Sequence, residues 1–121
     1  MSKNMEISFL LDFYGDMLTE KQRSMVDYYY NEDLSLAEIA ENEGITRQGV
    51  RDSIKRAEAQ LLEMEERLAL AARFRRMQEE LLTVQENART LRAVNDRNGR
   101  IPEIEECAAK IAAAADRMAE A

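Results

Sequence analysis

Histidine and tryptophan are absent from this chain, cysteine and proline occur once each, and glycine four times. Each scarcity excludes something. Without His, and with Cys107 as the only thiol, a nitrogen or sulfur metal site cannot be assembled and the commonest general base is missing. No metal and no cofactor is therefore expected, and Cys107 has no partner within the chain for a disulfide. With so little Gly and Pro, few residues can interrupt a helix. Aromatics are scarce as well: only Phe74 lies beyond residue 30, the rest being Phe9, Phe13, Tyr14, Tyr28, Tyr29 and Tyr30. A compact core can form only near the N-terminus. No apolar run approaches the roughly 18 residues of a membrane span, and the leader Met1–Asn4 is polar. These absences predict no membrane insertion and a reducing, cytoplasmic setting.

What is present is mostly Ala, Leu, Glu, Arg and Met, residues that lose little rotamer freedom in a helix. Nothing alternates like a strand, so the fold class is all-α. Ile7, Leu10, Leu11 and Tyr14 recur at helical spacing over Glu6–Tyr14. Gly15 and Asp16 break that helix. Thr19 is placed to cap a second one, ending near Asn31. Ser35-Leu36-Ala37-Glu38 is a capping box opening a short helix to about Asn42. Gly44 stands where the chain reverses, Ile45 follows as a buried turn residue, and Thr46 caps the next helix. Two short helices around a Gly-containing turn make a helix-turn-helix over residues 35–59.

The fourth helix continues past that module. Val50, Ile54, Ala57, Leu61, Met64, Leu68 and Ala71 form a heptad seam, and a second run follows at Phe74, Met77, Leu81, Val84, Ala88 and Leu91. The join between the runs is one residue short, a stammer. A helix from Thr46 to Val94 would be roughly 70 Å long, so either it breaks near Arg73–Arg76 or a second chain covers it. Residues 1–59 are expected as the helix-turn-helix domain and 60–121 as a helical extension. That extension would form a coiled coil or a helical hairpin, with a homodimer seam at Leu61, Met64, Leu68, Phe74 and Leu81. Asn95–Arg100 reads as a polar breaker, and Pro102 as the first turn of a last helix that can fold back. Cys107 reads as a small core residue, and of the three consecutive tyrosines one is expected to be exposed.

Charge singles out one element. Residues 1–45 carry three Lys or Arg against ten Asp or Glu, whereas residues 46–57 carry Arg47, Arg51, Lys55 and Arg56 against Asp52 alone. With Val50, Ile54 and Ala57 facing inward, Arg47, Gln48, Arg51 and Lys55 face outward, with Thr46 at the cap. Arg pairs with guanine and Gln with adenine in bidentate fashion, while Lys55 and Arg56 suit phosphate. Gly49, a poor helix former, suggests room for a close backbone approach. The same geometry is also an ordinary way to pack short helices, and Asp52 opposes phosphate. No nucleophile–base pair, metal cluster or phosphate loop argues for an enzyme.

Leu18-Thr19-Glu20-Lys21-Gln22-Arg23, Leu34-Ser35-Leu36-Ala37-Glu38-Ile39-Ala40, Thr46-Arg47-Gln48-Gly49-Val50 and Ile54-Lys55-Arg56-Ala57-Glu58 resemble the fourth region of sigma-70-type factors. With the leader Leu10-Leu11-Asp12-Phe13-Tyr14-Gly15 and the stretch Asp27-Tyr28-Tyr29-Tyr30, the closer resemblance is to the YlxM family, over about Met5 to Leu70. The tail after Asn95 is longer than the family pattern. The resemblance implies a sigma region 4-like helix-turn-helix bundle and a non-catalytic regulatory role in the signal recognition particle pathway. It further implies contact with DNA or the particle RNA through residues 46–57, or with the particle protein. An independent DNA-binding transcriptional regulator and a protein-binding adaptor using the same basic helix are the competing readings.

Overall fold

A computed structural model of the chain describes residues 2–120, and every element among them is helical. Six α-helices follow in order: α1 Glu6–Tyr14, α2 Glu20–Tyr30, α3 Leu36–Glu43, α4 Arg47–Leu68, α5 Leu70–Arg97 and α6 Pro102–Glu120. A single 3-10 turn, Gly15–Met17, joins α1 to α2. The chain divides into two compact units, one ending at Ala71 and one beginning at Ala72.

The first unit is a four-helix bundle. Its core takes Ile7, Leu10, Leu11 and Tyr14 from α1, and Met25, Val26, Tyr29 and Tyr30 from α2. Ile39 and Ala40 come from α3, and Val50, Ile54, Ala57 and Leu61 from α4. Ala71, at the start of α5, closes it. The expected caps form: Thr19 accepts from the Gln22 amide and Ser35 from the Glu38 amide, each in a reciprocal capping box. Tyr29 and Tyr30 are buried and Tyr28 packs partly against the core, so none of the three tyrosines is the exposed member that was expected.

The long helix breaks at Ala69, earlier than Arg73–Arg76. Ala69 adopts the left-handed conformation, φ 54°, and ends α4. The physical reason is a cap the heptad pattern does not reveal. The buried Tyr14 hydroxyl donates to Glu65 Oε1 at 2.7 Å and accepts from the Leu70 amide at 3.0 Å, while the Ala71 amide donates to the same Oε1 at 3.0 Å. Two amides at the start of α5, which have no partner within a helix, are thus satisfied by side chains. Leu61 and Ala71 belong to the bundle core, and the bundle extends beyond residue 59 because α4 remains packed through Leu61.

The second unit is an antiparallel hairpin of α5 and α6. Asn95 is its clasp. Buried at the turn, its Nδ2 donates to the Ile101 carbonyl at 2.9 Å and its Oδ1 accepts from the Ile101 amide at 3.0 Å. Asn95 is therefore the last staple of the hairpin and lies inside α5 instead of in a loop. Gly99 and Arg100 take positive φ to reverse the chain. Leu81, Ala88, Ala108 and Ala115 are buried, whereas Cys107 is exposed, against the expectation of a core thiol. No helix among the described residues is long and apolar enough to cross a membrane.

Candidate nucleic-acid interface

The helix-turn-helix is α3, the turn Gly44-Ile45-Thr46 and the first half of α4. Gly44 ends α3 at φ 69° with its amide donating to the Ala40 carbonyl. The Ile45 amide donates to the same oxygen at 3.1 Å. This double use of one carbonyl turns the chain within two residues and requires a left-handed position, which favours glycine. Thr46 then caps α4, its hydroxyl accepting from the Gly49 amide at 3.0 Å. Ile45 is 41% exposed, not buried.

Gly49 makes room within the fold itself. A Cβ there would lie 3.2 Å from Thr46 Oγ1 and 3.6 Å from Ile45 Cδ1. The missing side chain leaves room for the cap and for Ile45, on the protein side of the helix.

Thr46, Arg47, Gln48, Arg51, Lys55 and Arg56 are all exposed, while Val50, Ile54 and Ala57 are fully buried. Arg47, Gln48, Arg51 and Lys55 thus lie on one solvent-facing surface of α4, about 12 Å long at ~1.5 Å per residue, with Thr46 at its cap and Arg56 further round the helix. Leu36, Arg47, Gln48 and Arg51 line an open groove where α3 and α4 begin. Arg47, Arg51, Lys55 and Arg56 form no ion pair among the described residues, whereas Lys3, Arg23, Arg67 and Arg92 each have a carboxylate partner. Gln48 Nε2 donates to Asp52 Oδ1 at 2.9 Å, so the two polar residues at the centre of the surface are tied together. Their pairing holds the acidic group of Asp52 against a side chain one turn earlier.

The first turns of the bundle helices differ in one telling respect. Glu6, Glu20 and Glu38 open α1, α2 and α3, as the positive end of a helix favours. The first turn of α4 has no acid and begins with Arg47. A cation at that end opposes the helix dipole, and no carboxylate among the described residues pairs with it.

Two tyrosine–glutamate bonds that sequence reasoning missed hold α4 in place. Tyr30 donates to Glu58 Oε1 at 2.6 Å and Tyr14 to Glu65 Oε1, joining α2 and α1 to glutamates one heptad apart on α4. The signal was available only as spacing, since both glutamates sit beside the seam residues Ala57 and Met64. Burial is the main reason the Tyr30 phenol is pushed up to about 12, with the Glu58 carboxylate adding to it. Tyr14 is raised for the same two causes, burial first.

The dimer-seam residues expected from sequence divide between the two units, Leu61, Met64 and Leu68 in the first and Phe74 and Leu81 in the second. Leu61 is fully buried in the bundle and Met64 packs partly against it, so α1 and α2 cover the stretch assigned to a second chain. Leu68 is exposed beside the Ala69 break. In the second unit Phe74 is half-buried and Leu81 is buried within the hairpin.

The sequence model of one family, described as "Putative helix-turn-helix protein, YlxM / p13 like", matches residues 1–99. The chain belongs to the UPF0122 family. Among UPF0122 relatives, a protein of Halalkalibacterium halodurans is 46% identical over 86 residues, covering 71% of this chain and 79% of the relative. One from Clostridium kluyveri is 48% identical over 79 residues, 65% of this chain and 71% of its own length. A UPF0122 protein of Shouchella clausii is 40% identical over 105 residues, 87% and 96% of the two chains. The family match ends before α6.

Proposed function

We propose that this UPF0122 protein is a non-catalytic regulatory component of the signal recognition particle pathway that binds nucleic acid through Thr46, Arg47, Gln48, Arg51, Lys55 and Arg56. One observation carries the nucleic-acid part of this reading: α4 alone in its bundle opens on an unpaired cation. Fold stability disfavours that placement, and an anion resting on the helix N-terminus beside Arg47 would reverse the penalty. Arg51 and Lys55 extend the row along the phosphate backbone, and Arg56 flanks it. The pathway assignment rests on the resemblance to the YlxM family.

The test is a titration of the full chain against random-sequence duplex DNA and against a transcript of the particle RNA. Each is run at two salt concentrations, with Arg47→Ala/Arg51→Ala alongside. Four phosphate contacts give a log–log salt slope of about −3.6 on duplex DNA, falling to about −1.8 in the variant. Tighter binding to the particle RNA than to DNA supports the pathway reading. Enrichment of one sequence when the bound fraction of the random DNA pool is recovered makes the protein an independent transcriptional regulator instead.

A second reading has its own observation. Glu38 and Glu41 are exposed on α3, and Gln48 is engaged by Asp52, so the cations stand within an acidic neighbourhood that repels a polyanion. A protein-binding adaptor needs only the cation row. If neither nucleic acid responds to the variant, the particle protein is the next ligand, with Arg51→Glu/Lys55→Glu expected to abolish its capture.

A further inference from the structure

The hairpin of α5 and α6 buries few large side chains among its described residues. Its buried apolar residues, among those described, are Leu81, Ala88, Ala108 and Ala115. Three of the four are alanines, which contribute little area, and a unit of this size needs most of its apolar surface covered. Larger apolar residues are present but lie beside this seam. Met77, Val84 and Leu91 on α5 are 59, 40 and 42% exposed. On α6, Ile111 and Met118 are 46 and 52% exposed, and Ile104 is half-buried.

These six residues fall on one side of the hairpin. On α5 the buried line is Leu81, Ala88 and Asn95, and on α6 it is Ala108 and Ala115. Gln85 and Arg92 lie four residues after Leu81 and Ala88, on one flank of that line. They bond across the hairpin, Gln85 Nε2 to Asp116 Oδ1 at 2.8 Å and Arg92 Nε and Nη2 to Glu105 Oε1 at 3.0 and 2.7 Å. Val84 and Leu91 lie three residues after the same buried positions, on the opposite flank. By the same geometry Ile104, Ile111 and Met118 lie on the flank of α6 away from Glu105 and Asp116. One edge of the hairpin is closed by polar bonds, and the other is an open apolar face two helices wide. Both helices repeat at seven-residue intervals, 77-84-91 and 104-111-118, the period that meshes with further helices in a bundle.

We infer that this face is a homodimer interface, covered by the same face of a second copy of the chain to form a four-helix bundle. Charge permits this occupant. Residues 72–121 carry nine Lys or Arg and nine Asp or Glu, so the hairpin is neutral and the net −7 of the chain lies wholly in residues 1–71. Two hairpins meet without net repulsion, whereas two bundles do not. Shape selects it. A two-fold contact needs a self-complementary patch, and a pair of heptad stripes on antiparallel helices meets that requirement with no further sequence. The interface therefore lies on Met77, Val84, Leu91, Ile104, Ile111 and Met118, not on the seam through Leu61.

Sedimentation equilibrium of the full chain tests the inference, with Val84→Glu/Ile111→Glu and the control Leu82→Glu. Leu82 is exposed on the polar side of α5, away from Val84. A dimer is expected for the wild type and the control, and a weakening on the order of 30-fold or more for the double variant. A wild type that stays monomeric across the concentration range overturns the proposal. So does a dimer that survives the double variant or is lost equally in the control. Amide hydrogen exchange on the wild type supplies a measurement that no variant can confound. Protection of residues 81–95 and 104–115 should rise with protein concentration over the range in which the dimer forms. Protection independent of concentration likewise overturns the proposal, and would leave the face to a different protein.

Discussion

Tyr30 shows how a single hydroxyl fixes the basic helix. Its bond to Glu58 links α2 to α4, and Tyr30→Phe should lower stability by about 1.5 kcal/mol, the worth of a hydrogen bond to a charged group. Chemical denaturation at neutral pH measures this. A pH dependence accompanies it. With its pKa raised to about 12 by burial and Glu58, against ~10 when unfolded, the folded state retains the proton longer. Stability from this group is complete below about pH 10 and is lost as pH rises through about 12. The variant should flatten that alkaline decline; an unchanged slope would remove Tyr30 from the account. The capping boxes at Thr19 and Ser35, and the turn at Gly44, were legible because each depends on a local pattern of side chain and backbone. Gly49, Ile45 and Cys107 were not, since what decides their role is the side of the helix their neighbours occupy.

Helix boundaries and charges belong to the next scale. Arg47→Glu should raise the thermal midpoint, adding about 0.3–1 kcal/mol by placing an anion at the positive end of α4, and should weaken nucleic-acid binding in the same protein. A variant that loses both stability and binding would mean that Arg47 supports the fold. Ala69→Gly should also stabilise, by about 0.5–1 kcal/mol, because the left-handed backbone at φ 54° costs an alanine what a glycine avoids. The seven-residue repeat made a continuous helix through this point plausible. It could not reveal the break, because Tyr14, which satisfies the Leu70 amide, is far away in sequence. The outward row on α4 was legible, since the buried Val50, Ile54 and Ala57 leave only one surface for Arg51 and Lys55. The Tyr14–Glu65 and Tyr30–Glu58 bonds were not, as each needs the packing of three helices to be known first.

For the whole molecule, the sequence indicated five helices where the structure has six, the fourth either continuous or broken near Arg73–Arg76 and the last able to fold back. It misplaced the division between the two units because α4 serves the bundle as far as Leu61 and beyond. A heptad pattern records that a stripe is apolar; it does not say whether α1 and α2 or a second chain will cover it. In the bundle the chain's own helices take Leu61, and in the hairpin the larger residues remain at the surface.

All four tyrosines lie in the first unit, and there is no tryptophan anywhere in the chain. Near-ultraviolet tyrosine absorbance and dichroism therefore come from the bundle alone, while the far-ultraviolet helical signal comes from both units. Melting the unaltered protein with both probes follows two structures separately, without labels. Coincident curves at all concentrations would mean that the bundle and hairpin unfold as one. If only the far-ultraviolet curve moves to higher temperature on concentrating the protein, the association belongs to the hairpin, and the bundle melts as it would alone.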